Sequence, residues 1–255
     1  MVGLVKVCFL ADTGNLDGTL GGAELTMREF RLAAPEDVEL VELPDAETVI
    51  VGNCTAFDRS LIEHLEGKRV VRYFNDVDPN SDPVLRQWFI DNATCLFTSP
   101  LHVKRFPYEV DGATVPPPID LARFRPTRQV KKHTERKGAV AIGAYQNPGK
   151  GAMGLTEWAR ENGGLDVYGT GQFIPNANYL GPLDYTDVPK TLWQYETFVH
   201  LPTDLEPFGR AVVEAWAAGC QLVVNGNVGA VHWIQNEPEK LETAGEDFWR
   251  VVTGE

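Results

Sequence analysis

Three consecutive prolines, Pro116–Pro118, constrain this chain more than any other feature. Each fixes φ at about −65° and removes a backbone donor, so neither a helix nor a central strand passes through them. On the N-terminal side, short β-branched or apolar runs at Leu4–Leu10, Val38–Leu43, Thr48–Gly52, Arg69–Phe74 and Thr94–Thr98 read as strands. Helix-like patterns at Ala23–Leu32, Arg59–Leu65 and Pro83–Ile90 lie between them, with Asp58 and Ser81 or Asp82 as N-caps of the last two. On the C-terminal side the alternation resumes. It runs strand Ala139–Gly143, helix Ala152–Asn162, strands Leu165–Tyr168 and Phe198–Leu201, helix Phe208–Ala218 and strand Gln221–Val224. Apolar strands alternating with helices imply parallel sheets covered by helices. The stretch PPPIDLARFRPTR at 116–128 is therefore expected to link two α/β domains, 1–116 and 117–255.

Composition narrows the class. A chain of 255 residues with 43% hydrophobic and 23% charged residues is that of a soluble globular protein. No stretch approaches the roughly 20 apolar residues of a membrane-spanning helix. The opening MVGLVKVCFLAD reads as a first strand, not a signal peptide. Cys8, Cys54, Cys95 and Cys220 are widely spaced, without a C-x-x-C pair, which points to buried, reduced thiols of a cytoplasmic protein and to no metal site. The net charge of −13 opposes a general nucleic-acid binder. Residues 1–118 carry 10 Lys and Arg against 19 Asp and Glu; residues 119–255 carry 13 against 17. Within the second half Arg123, Arg125, Arg128, Lys131, Lys132, Arg136 and Lys137 crowd one stretch, either a solvated linker face or a polyanion patch.

Three segments carry candidate chemistry. FVHLPTDLEPFGRAVVEAWAAGCQLVVNG, at 198–226, reads strand, loop, helix, turn, strand, and its helix is apolar nearly all round. Glu214 is the only charge of that helix after Arg210, so its carboxylate must meet a cation, good donors or a ligand hydroxyl, unless it faces solvent. Glu206 precedes the same helix, whose first-turn N–H groups attract anions. AIGAYQNPGKGAMGLTEWA, at 141–159, places Lys150 among small residues after a strand, either in a plain turn or where a phosphate binds. ADTGNLDGTLGGAELTMREF, at 11–30, is a glycine-rich loop between a strand and a helix, with neither the Walker nor the dinucleotide-binding spacing.

Taken together, GGAE at 21–24, VPPPIDLARFRP at 115–126, PGKG at 148–151 and EPFGRAVVEAWAAGC at 206–220 resemble the retaining GT-B glycosyltransferases of the family-4 (group 1) type. The resemblance is good over 115–236 and holds only in outline over 1–110. It implies two Rossmann-like domains whose parallel sheets face across a cleft, the first on the acceptor side and the second binding a nucleotide-sugar. The implied reaction moves a glucose-like hexose to a hydroxyl acceptor without a metal or other cofactor, the donor being a UDP-sugar rather than a GDP-sugar. Glu206 and Glu214 match the two acids of the family's E-x7-E motif. Lys150 would neutralise the donor diphosphate, Glu214 would hold the ribose hydroxyls, and Glu206 would lie beside the transferred sugar. Phe208 and Gly209 would offer backbone amides, Gly21 and Gly22 would close over the phosphate, and base contacts would fall near Gly181–Tyr185, at Leu183.

Two positions depart from the family pattern. Ala144 stands where the family has an arginine, so one phosphate-binding cation is missing unless Arg210 or the basic stretch supplies it. RYFNDVDP at 72–79 lacks the family's histidine; Asn75 or Asp76 occupies that region, and Asp76 is the catalytic candidate there. The acceptor, whether a small molecule, a glycan or a hydroxymethylated base in DNA, leaves no mark in the sequence. The alternative reading is a module that binds a nucleotide-sugar or glycan without transferring it.

Overall fold

The computed structural model describes residues 4–11, 21–53, 56–77, 82–126, 136–171 and 173–254. They form two compact units, Met1–Ile119 with Gln235–Glu255 and Asp120–Ile234.

The first unit begins β1 (Val5–Leu10), α1 (Gly22–Leu32), β2 (Val38–Leu40), β3 (Thr48–Val51), α2 (Leu61–Leu65) and β4 (Arg69–Phe74). It continues α3 (Pro83–Asn92), β5 (Thr94–Phe97), α4 (Pro100–Arg105) and β6 (Gly112–Thr114). The sheet order is β2-β1-β3-β4-β5-β6, and every pair is parallel. Successive residues point to opposite faces, so a strand buried on both sides needs apolar residues throughout. Val49 and Val51 meet Leu61, Leu65, Leu85 and Phe89 on one face, while Ile50 and Val71 meet Met27 and Phe30 on the other. Cys8, Cys95 and Cys220 are buried free thiols; Cys54 lies outside the described residues.

The second unit runs α5 (Leu121–Phe124), β7 (Lys137–Ala144), α6 (Ala152–Asn162), β8 (Leu165–Thr170), β9 (Ala177–Gly181) and α7 (Val188–Leu192). Then follow β10 (Tyr195–His200), α8 (Arg210–Ala217), β11 (Gln221–Val224) and α9 (Ala230–Asn236). Its sheet, β11-β10-β7-β8-β9, is also parallel throughout. Leu155 and Ala159 of α6 cover Ala139, Ala141, Val167 and Val199, and α8 lies against α5, β10 and β11. Among the described residues no helix is long and apolar enough to cross a membrane.

Several elements differ from the expectations. The strand expected over Val38–Leu43 stops at Leu40, because Pro44 draws Leu43–Asp45 into a 3-10 turn. Asp58 does not cap α2: Ser60 is the N-cap, and the Asp58 carboxylate accepts from the Ser60 N–H and hydroxyl instead. Asp82 does cap α3, accepting from the N–H groups of Val84 and Leu85. Ser81 lies outside the described residues. The helix expected from Phe208 begins at Arg210, because Gly209 holds φ at +90°, a left-handed conformation that glycine adopts without strain.

The largest difference concerns the C-terminus. The last helix, α10 (Glu239–Thr253), belongs to the first unit, so the second unit ends at Ile234 rather than at 255. Phe248, Trp249 and Val252 join the core of the first sheet, the Trp249 indole donates to Phe30 O at 2.9 Å, and Arg69 Nη2 donates to Val251 O at 2.6 Å. Leu241, Ala244, Phe248 and Val252 mark one apolar face at helical spacing, but spacing cannot say which sheet that face covers.

Candidate active site

In the second sheet β7 comes first in the chain, β8 and β9 are laid down to one side of it, and β10 and β11 to the other. The loops leaving the carboxyl ends of β7 and β10 therefore turn opposite ways, which opens the crevice where ligands bind in such sheets. The loop after β7 makes a 3-10 turn, Pro148–Lys150, with Asn147 Oδ1 accepting from Gly149 N at 2.9 Å. It is tied to the loop after β10: Thr203 N and Asp204 N donate to Gly149 O at 3.0 and 3.2 Å. Gly151 has φ +89° and lies so close to Leu201 that a Cβ would run into its carbonyl, so only glycine serves there. Asn225 and Asn227 amides hold the second loop by donating to Pro202 O.

This framework brings Lys150 and Glu206 together. Lys150 Nζ lies 2.5 Å from Glu206 Oε2. The Glu206 backbone is fixed from the other side, its N–H donating to Asn227 O and its carbonyl accepting from Gly229 N. His200, the last residue of β10, places Nε2 3.8 Å from the same Glu206 oxygen. Burial disfavours the Glu206 charge, but His200 and Lys150 outweigh it and hold the carboxyl down at about 2.

Eight residues further on, Glu214 is buried in α8. Tyr185, in the loop between β9 and α7, donates its hydroxyl to Glu214 Oε1 at 3.1 Å, and Arg210 Nε lies 4.0 Å from that oxygen. Burial nevertheless raises the Glu214 pKa, against the pull of Arg210, Tyr185 and Arg123. Tyr185 is pushed up to about 12, first by burial and then by the Glu214 charge. Arg123 in turn fixes Tyr185: its guanidinium sits 4.5 Å above the ring and donates to Tyr185 O at 2.8 Å. The Arg210 side chain is only 9% exposed, folded along the helix onto Glu214. Phe208 is buried, Leu183 is half-buried in the loop that carries Tyr185, and Ala144 ends β7 without offering a charge.

Three residues of the basic stretch have partners within the second unit, while Arg125 and Lys137 are exposed. Arg123 is engaged with Tyr185, Arg136 donates to the carbonyls of Tyr195, Ala218 and Gly219, and Lys137 sits over the Tyr195 ring. Arg128, Lys131 and Lys132 lie outside the described residues.

Other expected residues belong to the first unit. Gly21 is the N-cap of α1 and Gly22 its first residue, while Gly14 and Gly18 lie outside the described residues. Asp76 follows β4 and is exposed, its Oδ2 accepting from Asn53 Nδ2 at 2.6 Å. His102 of α4, buried at the same sheet edge, has Nε2 3.2 Å from Asp76 O and Nδ1 3.1 Å from Thr98 Oγ1. Burial pushes its pKa down to about 4, and in the neutral ring Nε2 carries the proton. Neither His102 nor His200 stands out from spacing. The one available signal for His200 is a polar residue closing the apolar run Phe198–Val199 at a strand's carboxyl end.

No family model matches the chain, and no curated protein matches it in sequence. Solved structures do match in fold. HepE from Anabaena, in complex with UDP and glucose, aligns over 97% of this chain and 95% of its own, with TM-score 0.66 and 14% identity. Sucrose-phosphate synthase from Thermosynechococcus elongatus aligns over 98% and 94%, with TM-score 0.67 and 11% identity. An α-glucosyltransferase in complex with UDP and a 13-mer DNA containing a HMU base aligns over 98% and 91%, with TM-score 0.55 and 13% identity. The chain thus has the α/β fold with two parallel-stranded sheets found in the GT-B glycosyltransferases.

Proposed function

We propose that this chain is a retaining glycosyltransferase that moves glucose or a similar hexose from a UDP-sugar to a hydroxyl acceptor, without a metal. The observation that carries the reading is the Lys150–Glu206 pair at the switch point of the second sheet, with buried Glu214 in the helix that follows. The reaction breaks the bond between the anomeric carbon and the diphosphate and forms one to the acceptor oxygen, whose proton passes to the departing diphosphate. Negative charge grows on the departing diphosphate, and stabilising it is the main electrostatic task. In this reading Lys150 and the first-turn N–H groups of α8, near Phe208 and Gly209, perform it. Glu214, desolvated and already oriented by Tyr185, takes the ribose hydroxyls, and Leu183 lies beside the base. Glu206 contacts the transferred sugar. In the first unit, the resemblance assigns the acceptor hydroxyl to Asp76, exposed and held by Asn53, and a phosphate contact to Gly21 and Gly22.

A DNA acceptor is the weaker reading, because Arg123, Arg136 and Lys137 are already engaged within the second unit and residues 1–118 are strongly acidic. The reading as a binder without transfer draws on Ala144. Both are tested with the same preparation. A thermal-shift panel of nucleotide-sugars should single out UDP-glucose, a ligand at about 100 times its Kd adding roughly 2.7 kcal/mol of stability. Slow release of UDP from UDP-glucose without acceptor is then expected. A shift without release would favour the binder, and no shift with any nucleotide-sugar would end the transferase reading. Titration with hydroxymethylated DNA at two salt concentrations should give no salt-dependent binding.

A further inference from the structure

Glu206 has two neighbours on one oxygen, and a ligand can draw off only one of them. Lys150 reaches it from a flexible four-carbon stem, and its side chain is 37% exposed. His200 reaches toward it from the end of a strand whose register is fixed by pairing with β11, His200 opposite Val224. The His200 side chain is 7% exposed, and among the described residues neither ring nitrogen has a hydrogen-bond partner. A buried imidazole with both nitrogens unsatisfied is costly, and such groups in folded proteins call for an explanation. Here Nε2 lies 3.8 Å from Glu206 Oε2, too far for a hydrogen bond and within one small side-chain movement of making it.

We infer that His200 is the residue that takes over Glu206 when Lys150 turns to the diphosphate of the donor. The inference rests on the donor reading above and deepens it. Without ligand, Lys150 and Glu206 neutralise each other. When a diphosphate recruits the ammonium group, Glu206, a carboxylate only 16% exposed, would be left as a buried charge without its partner, a costly state. With its proton on Nε2 the His200 ring donates to Oε2, and that bond replaces the lost one. His200 thus acts through Glu206 as a positioning residue: it lowers the cost of releasing Lys150 and keeps the carboxylate fixed beside the sugar. It also offers an account of how the site works with Ala144 in place of an arginine, since the single lysine becomes fully available to the diphosphate.

A double-mutant cycle read by calorimetry tests this, with UDP, GDP, ADP and dTDP screened on the wild-type chain and the tightest carried forward. His200→Phe keeps the ring and removes the donor; it should weaken binding about ten-fold, whereas His200→Gln, which restores a donor, should recover most of it. Glu206→Gln leaves Lys150 with no charge to abandon and should bind more tightly than wild type. In that background His200→Phe should cost nothing, because no carboxylate remains to be handed over. If the phenylalanine variant does not fold, His200→Leu replaces it in the cycle. Affinity unchanged by removal of the His200 donor, or a penalty that persists with Glu206→Gln, would overturn the hand-over while leaving the donor site standing. Failure of the wild-type chain to bind any of the four diphosphates would overturn the donor reading and the hand-over with it.

Discussion

The carboxyl edges of the two sheets handle buried charge in opposite ways. At the first, Arg72 is fully buried in β4, donates through Nη1 to the carbonyls of Val51, Gly52 and Tyr73, and lies over the Phe74 and Phe89 rings. His102, beside it, has both ring nitrogens engaged by Thr98 and Asp76. At the second, Lys150 faces Glu206, Glu214 has a tyrosine hydroxyl and a guanidinium 4.0 Å away, and His200 has unused nitrogens. Cationic groups bonded to backbone carbonyls inside a core are part of the fold. Charges paired side chain to side chain at a crevice can be exchanged for a ligand's. In the proposed function the first edge stays as it is, and the second exchanges its partners when a donor binds.

Substitutions that remove one charge from each edge test that contrast. Arg72→Met preserves much of the side-chain length but leaves buried carbonyls without their donor; it should destabilise the chain by about 4 kcal/mol in urea unfolding, with nucleotide affinity unchanged. Lys150→Ala should cost less stability than Arg72→Met, because Glu206 keeps His200 beside it, but should reduce donor cleavage by more than about a hundred-fold, roughly 3 kcal/mol of barrier. A Lys150→Ala chain that keeps a tenth of wild-type turnover would show that another cation carries the diphosphate.

Titration distinguishes the two acids of the second edge. Glu206 falls from an ordinary value of 4.5 to about 2 in the folded chain. The unfolded chain therefore binds the proton more readily, and the stability this carboxylate contributes above pH 4.5 is lost as pH falls toward 2, by roughly 3 kcal/mol. Glu206→Gln should remove that part of the acid slope in pH-dependent unfolding curves. Glu214 is shifted the other way, so its charged form opposes folding, and stability should rise slightly when it is neutralised. Glu214→Gln should accordingly fold at least as well as wild type at neutral pH while binding the donor about ten-fold more weakly, measured by calorimetry.

Much of this arrangement is legible in the sequence. Alternating apolar strands and helices announce two parallel sheets, and a single carboxylate in the apolar helix around Ala211–Ala218 announces a buried group in need of partners. The partners themselves are not legible. Tyr185 and Arg123 reach Glu214 and Tyr185 across 29 and 62 residues of chain, distances that only the fold closes. Arg210 reads as a surface or phosphate-facing residue, since a cation at a helix N-terminus is unfavourable without an anion; the anion proves to be Glu214 one turn on. The last helix shows its apolar face plainly, but nothing in its spacing distinguishes the first sheet from the second. The short edge strand Ala177–Gly181, half exposed, lacks the apolar run by which central strands are recognised.

The most direct measurement is a crystal structure of the chain with UDP-glucose. The diphosphate should lie within about 3 Å of Lys150 Nζ. The ribose hydroxyls should lie on Glu214, and the Lys150–Glu206 pair should be open. A nucleotide bound with Lys150 still on Glu206, its diphosphate more than about 6 Å from Nζ, would contradict that assignment, because no hydrogen bond or close ion pair spans such a gap.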